Sequence, residues 1–218
     1  MIAVGLVDDH SITRHGIRTI LELNSEIKVI LEATHGLDLL NQLETARQEP
    51  DIVMMDINMP VMNGFKTVQE LQLKFPAIRI IIFSLIAEED TIINMISSGA
   101  CGYIPKNADP AILANAVISV YENGFYLGKW AKKEYFSRSG TVKKREGFSG
   151  KQFLSAKELQ FMNLAATNLS YKEIAAEMNV QPKTVENYRD SLFRKLDLKN
   201  RAALALYGYK NGLLDLFE

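Results

Sequence analysis

Acidic side chains follow two predicted strands near the start of the chain. Asp8 and Asp9 come directly after an apolar run at residues 2–7, and Asp56 follows a second run at 52–55. In a flavodoxin-like parallel sheet these two strands are neighbours, and functional groups collect beyond their carboxyl ends. Three converging carboxylates repel one another, and a hard cation with oxygen ligands, such as Mg²⁺, relieves that repulsion. The combination predicts a metal site, whereas one such aspartate alone is more typical of a turn or helix cap.

Two further strand ends carry groups that suit phosphate chemistry. Ser84 ends one strand, and Lys106 follows another. An ammonium group can bind a phosphoryl oxygen, and a hydroxyl group can donate a hydrogen bond to another. A carboxylate can also be the nucleophile and form an aspartyl-phosphate, for which the central Asp56 is the best placed of the three. Lys106 alone would be interpreted as a surface lysine, but the five positions together predict a phosphoryl-transfer site.

An alternation of strands and helices must position these groups. Short apolar runs alternate with segments of helical period over the first 123 residues, which predicts an α/β domain with a five-stranded parallel sheet covered on both faces. The flavodoxin-like strand order is 2-1-3-4-5. The predicted strands are 2–7, 28–33, 52–55, 79–84 and 102–105, and the predicted helices are 11–23, 37–46, 65–75, 88–98 and 110–123.

The rest of the chain has a different pattern. Residues 124–150 are rich in glycine and basic side chains, which indicates a linker with room for a short helix at 129–136. Residues 151–218 predict four helices and no strand, in an arrangement compatible with a helix-turn-helix. Five signals predict where these helices start and turn. They are capping boxes at Ser155–Glu158 and Ser170–Glu173, Pro182 in a first turn, Asn200 as a cap, and Asn168 as a left-handed residue between the first two helices.

The third of these helices has one apolar and one polar face. The inward stripe is Val185, Tyr188 or Arg189, Leu192 and Leu196, and the outward face is Lys183, Glu186, Asn187, Asp190 and Arg194. Such a face interleaves groups that suit base edges and phosphates. A solvated face on a small helical bundle is about as good an interpretation of composition alone.

Charge is unevenly distributed along a chain that is nearly neutral overall. The formal net charge of the 218 residues is −1, but residues 1–120 carry −7, residues 121–150 carry +4 and residues 151–218 carry +2. Neutrality therefore does not exclude nucleic acid as a partner. The lone Cys101 cannot form an internal disulfide, no apolar run approaches the ~18 residues of a membrane span, and the N-terminus lacks the basic leader of a secretion signal. We expect a cytoplasmic protein without a membrane partner.

The motifs of the first domain resemble those of response-regulator receiver domains. They are Val7-Asp8-Asp9-His10, Asp56-Ile57-Asn58-Met59-Pro60 with Asn63-Gly64, Ser84, and Gly99-Ala100-Cys101-Gly102-Tyr103-Ile104-Pro105-Lys106. The resemblance covers about residues 1–123 and implies that Asp56 accepts phosphate from a sensor histidine kinase. It also implies that Asp9, Asp56 and the backbone carbonyl of Asn58 hold Mg²⁺, with Asp8 supporting through water. Ser84 and Tyr103 would be the switch pair, and Lys106 would contact the phosphoryl group. Leu85 departs from the family, which usually has a small residue there, and a larger one could crowd phosphoryl donors or shield the acyl phosphate from water.

The second domain is similar to the LuxR-type DNA-binding domain over about residues 150–215. The matching motifs are Leu154-Ser155-Ala156-Lys157-Glu158, Glu173-Ile174-Ala175, Lys183-Thr184-Val185-Glu186-Asn187 and Arg194-Lys195-Leu196. The resemblance implies a third helix in the major groove, with Lys183, Thr184, Lys195 and Arg201 on phosphates and Glu186, Asn187 and Asp190 facing base edges. It also implies a dimer contact on the last helix, which contains Leu204, Ala205, Tyr207 and Gly208. With its receiver, the whole chain looks like a NarL/FixJ-type response regulator.

The sequence thus predicts a dimeric transcription factor controlled by phosphorylation of Asp56, with RNA polymerase as an additional candidate partner. Two acids on the recognition helix predict weak, salt-sensitive DNA binding that depends on dimerisation. We expect no enzyme activity beyond the receiver's own Mg²⁺-dependent phosphoryl transfer and slow dephosphorylation. The rival enzyme, a dehalogenase-like phosphohydrolase, needs an acid two residues after the nucleophile, where this chain has Asn58. A receiver whose helical domain binds protein or RNA is the other alternative.

Overall fold

The predicted strands form one parallel sheet in the computed structural model, which describes residues 1–86, 88–127 and 154–214. The strands are β1 (Ile2–Val7), β2 (Ile27–Ala33), β3 (Ile52–Met55), β4 (Arg79–Ser84), β5 (Gly102–Pro105) and β6 (Tyr126–Leu127). Their order in the sheet is β2-β1-β3-β4-β5-β6. The α/β class and the order 2-1-3-4-5 are therefore confirmed for the five predicted strands.

The sixth strand, β6, was not predicted and lies inside the segment assigned to the linker. Gly124, with a φ of 81°, ends the preceding helix in the left-handed conformation and turns the chain back toward the sheet. The amide of Tyr126 then donates to the carbonyl of Cys101 at 3.0 Å. A two-residue strand is too short to show the alternation that sequence patterns depend on. The first domain therefore extends past the predicted boundary at residue 123.

The helices that cover this sheet are α1 (Ser11–Glu22), α2 (Gly36–Thr45), α3 (Gly64–Lys74), α4 (Glu89–Ser98) and α5 (Ala111–Asn123). Each of their ends lies within one residue of its predicted position. Helices on both faces explain why the three isoleucines of β4 are fully buried, as their continuous apolar run predicts. The sheet is thus a rigid base whose carboxyl edge holds the candidate site.

The helical unit contains α6 (Ala156–Ala165), α7 (Tyr171–Glu177), α8 (Pro182–Leu196) and α9 (Arg201–Lys210). Both predicted capping boxes are complete. Pro182 is the first residue of α8, and the side chain of Asn200 accepts from the amide of Ala203 at 2.8 Å. The predicted helix starts are therefore correct in this unit.

The left-handed position predicted for Asn168 is wrong. Among the described residues, the non-glycine residues with positive φ are Val61, Asn179 and Asp197. After α6 the chain turns instead through Thr167, whose hydroxyl donates to the carbonyl of Leu164 at 2.7 Å and accepts from the amide of Leu169 at 3.3 Å. The threonine side chain closes this turn, so no left-handed residue is needed.

The chain separates into two compact units, residues 1–128 and 129–218. The short helix predicted at 129–136 lies outside the described residues. In the part of the chain that the structure describes, no helix combines the length and the apolar character needed to cross a membrane.

Candidate functional site

Backbone pairing between parallel strands brings the predicted phosphate-chemistry residues to one edge of the sheet. The amide of Asp56 donates to the carbonyl of Val7 at 3.0 Å, and the amide of Lys106 donates to the carbonyl of Ser84 at 2.9 Å. These bonds continue the β1–β3 and β4–β5 pairings just beyond the ends of the strands. The pairing of these strands therefore positions Asp56, Ser84 and Lys106 at this edge.

A shared lysine is the central feature of this edge. Nζ of Lys106 lies 2.6 Å from Oδ2 of Asp8 and 2.6 Å from Oδ2 of Asp56. Both carboxylates are buried, and the lysine side chain is only 11% exposed. Burial alone would lower the pKa of Lys106, but hydrogen bonds and charge from Asp56 and Asp8 outweigh it and raise the pKa. One cation therefore serves two buried anions, which leaves an excess of negative charge.

Asp9 and His10 add further ligand atoms beside this pair. Nδ1 of His10 lies 2.8 Å from a carboxylate oxygen of Asp9 and 3.2 Å from one of Asp8. One potential ligand atom from each of Asp8, Asp9 and His10 falls within a cluster 4.8 Å across. Carboxylate oxygens are the ligands that hard divalent cations prefer, and the excess negative charge favours a cation. The residues present therefore fit Mg²⁺, although sequence reasoning did not include His10 in this cluster.

The loop after β3 is shaped by close backbone contacts. The amide of Gly64 donates to the carbonyl of Ile57 at 2.8 Å, and a Cβ at Gly64 would lie 2.7 Å from the carbonyl oxygen of Asp56. Val61 has a φ of 62°, and the amide of Met62 donates to the carbonyl of Pro60 at 2.6 Å across it, which forms a γ-turn. A β-branched residue rarely adopts this conformation, so the loop holds strain beside Asp56. No sequence pattern indicated the strain at Val61.

Ser84 and Tyr103 are both buried at the end of the sheet. The hydroxyl of Tyr103 donates to the backbone carbonyl of Ser84 at 3.4 Å. Burial, together with the negative charge of Asp56, raises the pKa of Tyr103 to about 12. The neighbouring Leu85 is 75% exposed, although it follows a buried strand. The predicted switch pair is therefore in mutual contact, and the residue that departs from the family faces solvent.

The outward face of α8 carries five of the predicted DNA-contacting side chains, which are Lys183, Glu186, Asn187, Asp190 and Arg194. Asn187, Asp190 and Arg194 are exposed, and Lys183 has the most exposed side chain of the ion-paired residues on this helix. Both acids are neutralised within the helix, since Glu186 lies 2.8 Å from Lys183 and Asp190 lies 2.9 Å from Arg189. The face is therefore polar and nearly balanced in charge rather than strongly basic.

Arg201 does not lie on that face, and the predicted phosphate contact at this residue is wrong. The residue is 2% exposed, and its guanidinium group donates to the backbone carbonyls of Ala165, Thr167 and Leu169 at 2.6–3.0 Å. It also lies over the ring of Tyr171. Desolvation lowers the pKa of Arg201 to about 10, against the opposing influence of Tyr171. Arg201 thus holds the turn between α6 and α7 to α9.

Most of the predicted dimer contact on α9 is also buried. Leu204, Ala205 and Gly208 are buried, and a Cβ at Gly208 would lie 2.6 Å from the side chain of Leu214. Tyr207 is half-buried. The apolar residues that suggested a dimer surface therefore belong to the core of the unit, and any contact through α9 has to use its half-buried and exposed positions.

Family comparisons agree with both halves of this arrangement. Residues 4–118 match the response regulator receiver domain, and residues 152–207 match the luxR family of bacterial regulatory proteins. The chain is a response regulator of the NarL/FixJ type. It is therefore a receiver joined to a LuxR-type DNA-binding domain, a regulator of transcription rather than a conventional enzyme.

Relatives are similar to this response regulator along nearly their whole length. Response regulator UvrY of Escherichia coli is 33% identical over 214 residues, which is 98% of this chain and 96% of the relative. Oxygen regulatory protein NreC of Staphylococcus epidermidis is 30% identical over 215 residues, or 96% and 98% of the two chains. The crystal structure of response regulator ChrA from a heme-sensing two-component system is similar, with a TM-score of 0.52, 27% identity and coverage of 97% and 98%.

Proposed function

We propose that Asp56 is the phosphoacceptor and that a sensor histidine kinase is the donor. The bridging Lys106 is the observation that supports this most directly, because its ammonium group lies within 2.6 Å of the Asp56 carboxylate. An oxygen of Asp56 attacks the phosphorus, the bond to the imidazole of the donor breaks, and an acyl phosphate forms. Lys106 then moves its hydrogen bond from the carboxylate to a phosphoryl oxygen.

Asp8, Asp9, Asp56 and the backbone carbonyl of Asn58 are the residues that would hold Mg²⁺. When bound, the cation supplies positive charge that offsets the phosphoryl oxygens. The protein's own groups orient the acceptor, since the amide of Ile57 donates to Oδ1 of Asp56 at 2.6 Å and leaves the other oxygen to Lys106. The receiver thereby catalyses its own phosphorylation and slow dephosphorylation.

Ser84 and Tyr103 form the proposed switch. Phosphate adds up to two negative charges and three strong acceptors next to Ser84, whose hydroxyl can turn to donate to them. Tyr103 is already buried and donates to Ser84. The acceptor is the backbone carbonyl of Ser84, so a backbone shift that accompanies the turn of the hydroxyl changes the surroundings of Tyr103. This couples the acyl phosphate to the face formed by α4, β5 and α5.

The helical unit would read DNA through α8 in the major groove. Lys183, Thr184 and Arg194 would contact phosphates, and Glu186, Asn187 and Asp190 would face base edges. The ion pairs of Glu186 and Asp190 lower the repulsion of phosphate, but they must rearrange before either acid can accept from a base. Affinity per monomer should therefore be modest, and a phosphorylation-dependent dimer on two half-sites would raise it. DNA as the ligand, and a lone cysteine, support a cytoplasmic location.

We also propose the chain's division into domains and its partners. The receiver covers 1–127 once β6 is included, the linker runs to 150, and the DNA-binding domain covers 151–218. RNA polymerase remains a candidate partner because the domain regulates transcription.

The test compares DNA binding with and without a small acyl phosphate donor in the presence of Mg²⁺. We expect the donor to tighten binding of the wild type to a duplex selected from a random pool. Asp56→Ala should lose that response, while Glu26→Ala, which removes an exposed acid of the same domain, should keep it.

Donor-dependent tightening that persists in Asp56→Ala would show that another residue is the acceptor. Steady turnover of phosphate esters would favour the phosphohydrolase. Association that does not depend on salt, or the absence of duplex binding, would favour a domain that binds protein or RNA.

A further inference from the structure

Two capping boxes of the helical unit share the same residues and spacing but differ in burial. Ser155 and Glu158 cap α6, and Ser170 and Glu173 cap α7. In both, a glutamate oxygen accepts from the backbone amide of the serine, at 2.9 Å and 2.7 Å. Glu158 is 4% exposed, whereas Glu173 is exposed. Helix capping therefore does not explain why Glu158 is buried.

The second oxygen of Glu158 explains it, because it reaches a different helix. Oε1 accepts from the hydroxyl of Ser191 at 2.8 Å and from Nζ of Lys195 at 2.7 Å. Ser191 and Lys195 are four residues apart on α8, so they lie on one face of that helix. One carboxylate thus joins the first turn of α6 to the second half of the proposed recognition helix. We call Glu158, Ser191 and Lys195 the α6–α8 anchor.

The carboxylate of the anchor is buried and has a complete set of hydrogen bonds, while the Lys195 side chain that pairs with it is 45% exposed. A buried carboxylate is costly unless donors surround it, and Glu158 has four, counting the amide and hydroxyl of Ser155. Burial would raise the pKa of Glu158, but the bonds from Lys195, Ser155 and Ser191 lower it to about 2. The buried Val185 and Leu192 hold α8 against the core, but apolar contacts are not directional in the way that hydrogen bonds are. The hydrogen bonds of the anchor are directional, so a rotation of α8 about its axis would break them.

Rotation of α8 matters because Asn187 and Asp190 lie within about one turn of Ser191. Base-edge contacts tolerate positional errors of only about 0.5 Å and 10–20°. We propose that Glu158 is a positioning residue that fixes the rotation of α8 for DNA recognition and holds the ammonium group of the part-exposed Lys195 on a carboxylate rather than on a phosphate. This inference rests on the proposed DNA-binding function, and it revises the predicted phosphate contact at Lys195.

The experiment measures two affinities of the full chain, with Mg²⁺ and an acyl phosphate donor present. One probe is the duplex selected by the wild type, and the other is a random-sequence duplex of the same length. Glu158→Gln should bind the selected duplex about tenfold more weakly, because a buried charge-assisted bond is lost. It should bind the random duplex more tightly, with a salt slope steeper by about one, because Lys195 becomes free to contact phosphate.

Opposite signs on the two probes separate positioning from simple loss of structure. A variant that only unfolds more readily would bind both duplexes more weakly. The double variant Glu158→Gln/Lys195→Met should keep the weaker binding of the selected duplex and return random-duplex binding to the wild-type level. Glu173→Gln, which alters the matching box without a contact to α8, should leave both affinities unchanged.

Each outcome decides the proposal. If Glu158→Gln binds both duplexes as the wild type does, or weakens both equally, the anchor does not position α8. If Glu173→Gln has the same effects as Glu158→Gln, the capping box and not the anchor is responsible. If the wild type itself selects no duplex, the proposed DNA-binding function fails instead.

Discussion

Each unit of this response regulator buries carboxylate oxygens against a lysine, but the two sites differ in how charge is balanced. In the receiver, Lys106 is shared at 2.6 Å by the buried Asp8 and Asp56. In the helical unit, Lys195 serves Glu158 alone, and that carboxylate has three further donors. The first site has fewer cations than anions, and the second is fully satisfied.

The difference shows how the same residue types support chemistry in one place and structure in another. An excess of buried negative charge is unstable by itself, so a cation would stabilise the receiver site, and under the proposed function Lys106 exchanges partners when a phosphoryl group arrives. A fully hydrogen-bonded carboxylate gains nothing from a new ligand. Its contribution is to hold two helices in one arrangement.

The largest expected effect comes from replacing the shared lysine of the receiver site, Lys106. Lys106→Met should lower phosphate incorporation from a small acyl phosphate by roughly 100-fold or more, because a preorganised charge on the transferred group is lost. Lys195→Met should leave that rate unchanged, since its ammonium group belongs to the helical unit. The rate is measured by phosphate retained on the protein. Equal rates for Lys106→Met and the wild type would remove the lysine from the proposed mechanism.

The charge of Glu158 should make the stability of the protein depend on pH. The pKa of Glu158 is lowered from 4.5 to about 2, so its stabilising effect is complete above pH 4.5 and is lost as the pH falls toward 2. Wild type should exceed Glu158→Gln in free energy of unfolding by roughly 3 kcal/mol at neutral pH. Urea unfolding followed by circular dichroism should show the two proteins converging as the pH approaches 2. A difference that stays constant with pH would mean that the carboxylate charge does not stabilise the unit.

Sequence patterns predicted the parts of the molecule that depend on local periodicity and strand ends. The five strands, the capping boxes and the group of Asp8, Asp56, Ser84 and Lys106 follow from apolar runs and from the geometry of parallel sheets. The carboxyl ends of neighbouring parallel strands must meet at one edge. Residues that follow those strands are therefore brought together whatever the loops do.

Contacts between helices could not be predicted in the same way. The family resemblance implied a phosphate contact at Arg201, yet its guanidinium group donates to three backbone carbonyls within the helical unit. Glu158 and Glu173 have the same local sequence signal, and only tertiary packing distinguishes them. A single sequence shows which residues can pair but not which pairs the fold completes.

The two units also differ in the residue types that have a positive φ. Val61, in the loop after β3, has a φ of 62°, whereas the described non-glycine residues of the helical unit with positive φ are Asn179 and Asp197, residue types that tolerate it. Val61→Asn should therefore raise the free energy of unfolding by about 1 kcal/mol, and Asn179→Val should lower it by a similar amount. Thermal unfolding of both variants measures this. A loss of stability in Val61→Asn would show that the γ-turn is not strained.

The smallest expected effect concerns Leu85, which is 75% exposed beside Ser84. Removing an exposed side chain should change the free energy of unfolding by less than about 0.5 kcal/mol. We expect Leu85→Ala to lose its phosphate a few-fold faster after the donor is removed, because less apolar surface then shields the acyl phosphate from water. Leu73→Ala, which truncates a similarly exposed leucine in α3, is the matched control and should decay at the wild-type rate. If Leu85→Ala also loses its phosphate at the wild-type rate, the larger side chain does not shield the acyl phosphate. The lifetime of the acyl phosphate would then depend on the residues at the carboxyl edge of the sheet that contact it.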